Sequence, residues 1–275
     1  MQSVFVKKTN HFGILLGKIG PYFINTHFVY GSEKEASELL AYIDEQLTDK
    51  MKLPANVFAK VKKQYDENKI YHDIIENLIQ LIQEHIAINE IDYISGGERR
   101  DWFFSNMIAY LLQKPHLTIY KDLSMVESDS NFQKTVPVTD LKEKKVLHVA
   151  DLVTVASSYL RAWIPAIEAK NGKMKWSCAV VDRMQGGSEK MKEKRVEPYS
   201  LVQVDQTLFE TAKKMGIINE KQQEMLNGFF QNPDETMKKF LQDHPEFLEN
   251  ALKSDEKTKK RATLLVEQDL YGLGK

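Results

Sequence analysis

The sequence predicts an α/β protein built on a mostly parallel sheet flanked by helices, and three observations lead to that class. Short apolar runs recur at 91–94, 116–120, 146–149, 177–181 and 200–204. Helical patterns at 102–112 and 158–169 separate most of them, and strands that alternate with helices imply crossover connections between parallel neighbours. Polar segments follow four of the runs directly, at 95–101, from 121 onward, at 151–158 and at 182–187. In such sheets ligands bind beyond the carboxyl ends of the strands, so these four loops converge on one edge as the candidate site.

Taken in order, Ser32 and Glu35 have capping-box spacing, and Ala36, Leu39, Leu40, Ile43 and Leu47 then make one helical face. A second long helix is expected over 70–88, where Ile74, Ile75, Leu78, Ile79, Ile82 and Ile86 recur at helical spacing. Residues 123–134 are polar and aperiodic, which predicts a mobile loop over the ligand edge. Beyond Val204 the pattern changes. Asp205, Asn219 and Asn232-Pro233 read as helix starts and Gly216 as a stop, so 206–275 is expected to be a helical C-terminal extension to a first domain of 1–205. Phe229, Phe230, Phe240, Phe247 and Leu248 of that extension read as helix packing or an interface rather than a ligand pocket.

The bulk properties narrow the function. With 275 residues, 42% hydrophobic and 28% charged, the chain can bury a sizeable core. Its formal charge of −1 provides no global field for nucleic acid or an anionic membrane, so any anion site must be local. Cys178 is the single cysteine and lies in an apolar run, which excludes an intrachain disulfide and fits a reducing compartment. No long apolar stretch resembles a leader or a membrane span, and a cytoplasmic location is expected.

Three segments can carry chemistry. The run from Lys145 reads as a buried strand ending at Asp151, after which Thr154, Ser157 and Ser158 place hydroxyls and backbone N–H groups at the start of a helix, a phosphate cup in outline. The alternative is a parallel strand whose next helix is merely capped by Ser157. Ser95-Gly-Gly-Glu-Arg-Arg-Asp101 lets Gly96 and Gly97 bring the backbone close to a ligand and sets Arg99 and Arg100 before a helix, which suits an anion such as diphosphate. Alternatively, the two arginines are paired with Glu98 and Asp101. Asp182-Arg183 with Gly186-Gly187 is either a turn with a local ion pair or a planar guanidinium offered to a carboxylate or base carbonyl.

Together these segments, over about 12–204, resemble the type I phosphoribosyltransferases, and among them the orotate enzymes. Gly17-Lys-Ile-Gly-Pro-Tyr-Phe-Ile-Asn25 is similar to the family's N-terminal hood segment, Gly96 to Arg100 falls at its diphosphate loop, and Tyr120-Lys121 precedes the position of its catalytic loop. The strand into 151–158 matches the motif for 5-phosphoribosyl 1-diphosphate, and Asp182-Arg183 with Gly186-Gly187 matches the turn that contacts the base. The resemblance implies a phosphoribosyl transfer to a nitrogenous base with release of diphosphate, a Mg²⁺ ion bound with the sugar diphosphate, and a homodimer. It implies catalytic roles for Arg99, Arg100, Lys121 and Asp151. By the same resemblance, Gly96, Gly97, Asp151, Thr154, Ser157 and Ser158 would hold the phosphosugar, and Phe23 and Arg183 the base.

The departures point the other way. Ala150 replaces the first of two neighbouring acids, Val155 and Ala156 replace the two glycines of the cup, Leu15 stands in place of an orotate-recognising lysine, and 123–134 lacks the Lys-x-His-Gly of the catalytic loop. They motivate a second reading, a non-catalytic relative that binds a nucleotide or phosphosugar as a regulatory or interaction module.

Overall fold

The computed structural model describes residues 13–15, 18–22, 24–272 and 274. They fall into two compact units, one of residues 26–204 and one that joins the described residues before 26 to those from 205 onward. The chain opens on a hairpin of β1 (Gly13–Leu15) and β2 (Lys18–Gly20). The larger unit then runs α1 (Glu33–Gln46), α2 (Leu53–Glu67), α3 (Lys69–His85), β3 (Tyr93–Gly97), α4 (Trp102–Leu111), β4 (His116–Ile119), β5 (Met125–Ser128) and β6 (Thr135–Pro137). It continues with β7 (Lys145–Val153), a π-helical turn (Tyr159–Trp163) leading into α5 (Ile164–Glu168), β8 (Lys173–Asp182), α6 (Gly187–Glu193) and β9 (Glu197–Gln203).

Its sheet has the order β6-β5-β4-β3-β7-β8-β9. The five strands from β4 to β9 in that order pair in parallel, and β5 and β6 add an antiparallel edge. The sheet is therefore mostly parallel, as the alternation of strands and helices predicts. Local chemistry explains the helices that flank it. Ser32 Oγ accepts from Glu35 N at 3.1 Å to start α1, and Asn68 Oδ1 accepts from Ile70 N and Tyr71 N, both at 3.0 Å, to start α3. Tyr71, Ile75, Leu78 and Ile82 bury the inward stripe of α3. In α4, every residue from Trp102 to Ala109 is buried, so this helix is apolar all round and sits inside the unit. Burial pushes the Cys178 thiol on β8 up to about 12, which leaves it an inert core residue.

The structure differs from the sequence reading in four places. Residues 123–134 are not an irregular loop over the ligand edge: Met125–Ser128 pairs with β4 and with β6, burying Met125, Val126 and Ser128. Phe132 at their tip is also buried and stacks on Phe58 with ring centroids 4.5 Å apart. The strand into the cup does not end at Asp151 but continues to Val153, still paired with β8. Helix α2 was not anticipated, although its buried Leu53, Val57 and Val61 recur every four residues behind Pro54 in the first turn. Finally, the hairpin does not group with the sheet domain as the 1–205 boundary has it, because β1 packs on α11 and β2 on α9.

The smaller unit contains that hairpin and α7 (Gln206–Lys214), α8 (Glu220–Gln231), α9 (Pro233–Asp243), α10 (Glu246–Leu252) and α11 (Glu256–Glu267). The starts of α7, α8 and α9 lie where the sequence places them. Asp205 Oδ1 accepts from Leu208 N at 2.9 Å, Asn219 and Gln222 form a reciprocal capping box, and Asn232 caps α9 ahead of Pro233. Gly216 follows α7 at φ +68°, a conformation that favours glycine. Phe229, Met237, Leu241, Leu248, Ala262 and Leu265 form the core of this unit. No described helix is long and apolar enough to cross a membrane.

Candidate functional site

The chain leaves β3 towards β4, β5 and β6 on one side and returns to β7 on the other, so the topological switch point lies between β3 and β7. These two strands pair only from Tyr93↔Val146 to Ser95↔His148. Beyond that point β3 stays paired with β4 as far as Gly97, and β7 with β8 as far as Val153. The two central strands therefore part at their carboxyl ends, and the loops singled out in the sequence meet at the split.

Asp101 bridges it. One carboxylate oxygen, Oδ2, accepts from Gly97 N at 3.0 Å and the other, Oδ1, from Asp151 N at 3.1 Å. His148 Nε2 lies 3.4 Å from Oδ2, and His148 Nδ1 lies 2.9 Å from Ser95 Oγ. Ser95, His148 and Asp101 are all buried, which places this serine–histidine–acid arrangement inside the protein rather than in a hydrolytic site. A second buried histidine, His116, is shared between Thr118 Oγ1 at 3.0 Å and Ser105 Oγ at 2.9 Å, and burial and then His148 hold its pKa down at about 3.

Most of the expected diphosphate loop is satisfied from within. A Cβ on Gly96 would lie 2.2 Å from Ser105 Oγ, and one on Gly97 would lie 2.3 Å from the Trp163 ring. These glycines are therefore required by internal packing, not by the approach of a ligand. Arg99, after a cis Glu98–Arg99 peptide, pairs with Asp44 of α1 and donates to Leu40 O at 3.3 Å. Lys121 pairs with Glu98 at 3.1 Å and donates its backbone N–H to the same carboxylate at 3.0 Å. Arg100 differs from both, being exposed and in no ion pair among the described residues. It acts electrostatically on both Asp151 and His27.

The β7 side keeps its polar groups available. Asp151 is half-buried, and its carboxyl is held well above the usual carboxylate range, by burial first and then by the charge of Asp101, against the pull of Arg100. Thr154, Ser157 and Ser158 make no side-chain hydrogen bond among the described residues, and Ser157 and Ser158 open the turn that leads into Tyr159–Trp163. Ala156 takes φ +54° between them, so the backbone adopts the left-handed conformation without the expected glycine. The turn after β8 rests on this loop. A Cβ on Gly187 would meet Thr154 O and Val153 Cγ1 at 2.7 Å, and Arg183 N donates to Val153 O at 2.9 Å.

Asp182 is in no ion pair among the described residues; its carboxylate accepts from Met184 N at 2.8 Å and from the Ser188 hydroxyl. Arg183 is buried beside it. Phe23 lies outside the described residues. Sequence reasoning missed Asp101 as a bridging acid, treating it only as a partner for arginine. Its position ahead of an apolar helix was visible, and Gly97 lies only four residues before it, but the second amide, of Asp151, is fifty residues away and does not show in the spacing.

No protein-family model matches the sequence, and no curated protein matches it. Solved structures do. The UMP synthase of Leishmania donovani aligns with 80% of this chain at 14% identity and a TM-score of 0.53, and this chain covers 38% of its length. The orotate phosphoribosyltransferase of Francisella tularensis aligns with 82% of this chain and 92% of its own at 15% identity and a TM-score of 0.51. The chain has the type I phosphoribosyltransferase fold. At such identities the likeness carries the fold and nothing finer.

Proposed function

We propose that the split between β3 and β7 binds a ribose 5-phosphate compound, with the 5′-phosphate in the cup of Thr154, Ser157 and Ser158 and the ribose hydroxyls at Asp151. The observation that carries this reading is the set of three hydroxyls, unpartnered among the described residues, beside the switch point of a phosphoribosyltransferase fold. Hydroxyl and backbone N–H donors at a helix start favour phosphate oxygens. Arg100, exposed and in no ion pair among the described residues, lies on the opposite rim and suits a group on C1 of the sugar.

Where that group is diphosphate, the reaction is transfer to a nitrogenous base. The electron pair of the C1–O bond leaves with diphosphate, a base nitrogen forms the new bond to C1, and its proton goes to water. Arg100 would stabilise the departing charge, with Lys121 released from Glu98 as a second donor, and Arg183 would face the base. No three His, Cys, Asp or Glu side chains among the described residues stand close enough to hold a metal ion. A Mg²⁺ ion would enter with the sugar diphosphate and neutralise part of its charge. Pairing with a second copy of the chain belongs to the same proposal and is checked by sedimentation.

A second reading, binding without transfer, is favoured by the diversion of Arg99 to Asp44 and the filling of the space beside Gly97 by Trp163. Calorimetry with 5-phosphoribosyl 1-diphosphate and with nucleoside monophosphates tests the binding they share. Diphosphate release in the presence of a panel of bases and Mg²⁺ separates the two. Release supports transfer, binding without release supports the module, and failure to bind any phosphosugar removes both.

A further inference from the structure

The bridge at the split uses both oxygens of one carboxylate on amides from opposite loops. Ser95 and His148 are the last residues paired between β3 and β7, so Gly97 N and Asp151 N lie where the strands have already separated. An amide buried without a partner is costly, and a carboxylate acceptor is stronger than a neutral one. We propose that Asp101 is the positioning residue of the site: by holding the amides of Gly97 and Asp151 on one carboxylate, it sets the width of the split and the placement of Asp151 for the ligand.

This proposal rests on the phosphosugar reading for its functional consequence, but not for its geometry. The groups facing the pair come from every neighbouring element. Arg100 lies on the preceding turn, His148 on β7, Tyr159 on the turn after the cup, and His27 on the segment Thr26–Tyr30 beside Arg100. Arg100 is the one cation among them that pulls Asp151 towards its charged form, whereas Asp101 pushes it towards the neutral form. Asp101 thus acts through Asp151 by position and by charge. It touches no ligand in this account.

The test begins with the wild-type chain and no ligand. Because Gly97 N and Asp151 N are both held on one carboxylate, both amides should be protected from exchange with solvent; rapid exchange at either would overturn the bridge. In Asp101→Asn the charge is lost, so the Asp151 carboxyl should titrate about one pH unit or more lower, and both amides should exchange faster. An unchanged Asp151 midpoint together with unchanged exchange would also overturn the proposal. If the wild type binds 5-phosphoribosyl 1-diphosphate, Asp101→Asn should weaken binding roughly tenfold, and equal affinity would refute the positioning role. If the wild type binds no phosphosugar, the functional reading fails while amide exchange and the Asp151 titration still decide the bridge.

Discussion

On the β3 side of the split, the two glycines are packed against Ser105 and Trp163, Arg99 is paired with Asp44, Lys121 with Glu98, and Asp101 bridges two amides. On the β7 side, the Thr154, Ser157 and Ser158 hydroxyls have no hydrogen-bond partner among the described residues, and Asp151 stands half-buried beside them. The same fold thus presents one wall that has consumed its polar groups internally and one that still offers them. On the proposed reading the β7 side would hold the phosphate, and Arg100, in no ion pair among the described residues, would face the other end of the sugar. The contrast also explains how a chain can retain a ligand fold while departing from the residues associated with transfer.

The largest test of that contrast is substitution of the open wall. Replacing Thr154 and Ser158 together by alanine should weaken phosphosugar binding by roughly tenfold or more, since hydrogen bonds to a charged group are worth about 1.5–3 kcal/mol each. Arg99→Ala should leave affinity within about twofold and reduce stability, because its guanidinium serves α1. Titration calorimetry and chemical denaturation read the two effects separately.

Next come the glycines. Gly97→Ala should destabilise the fold by about 1–3 kcal/mol through the clash with Trp163. Gly187→Ala should cost a similar amount, because its new Cβ would press on Thr154 O, and it should also lower ligand affinity without removing any hydroxyl. Gly186→Ala is the control: no atom lies within 4 Å, and only its φ of +83° opposes the side chain, for a cost of about 1 kcal/mol. Equal losses at Gly97 and Gly186 would show that the packing at Trp163 carries no weight.

The smallest effects are in pH dependence, and the two walls carry opposite signs. His27, lowered from 6.5 to about 4 by burial and then by Arg100 and Arg99, and His116, lowered to about 3, are both held neutral in the fold. Their contribution is fully present above pH 6.5 and is lost as pH falls below it. Asp151 behaves in the reverse sense. Its raised pKa favours the neutral form, so its contribution is present below pH 3.8 and is lost as pH rises from there towards its folded value. Denaturation across pH should therefore show Asp151→Asn gaining stability over the wild type at neutral pH and not in strong acid. A gain in acid alone would reverse the assignment.

Much of the architecture was legible because it is written in local pattern. The apolar runs and helical stripes gave the parallel sheet, and Asp205, Asn219, Asn232 and Gly216 marked the helix ends of the smaller unit through short-range hydrogen bonds and backbone conformation. The strand at 125–128 was not legible, because its stability comes from pairing with β4 and β6 and from Phe132 folding back on Phe58. The loops of the site were found in the right order, but their internal accounts were not. That Arg99 turns to Asp44 and that Asp101 reaches Asp151 are consequences of distant residues meeting, which no spacing rule encodes.

The central claim is that the phosphosugar is held by the β7 wall. Calorimetric titration of 5-phosphoribosyl 1-diphosphate into the wild type, Thr154→Ala/Ser158→Ala and Arg99→Ala measures it directly. The account predicts binding by the wild type, a loss of roughly tenfold or more in the double variant and near-wild-type affinity for Arg99→Ala. Undiminished affinity in the double variant, or a large loss in Arg99→Ala alone, would contradict it.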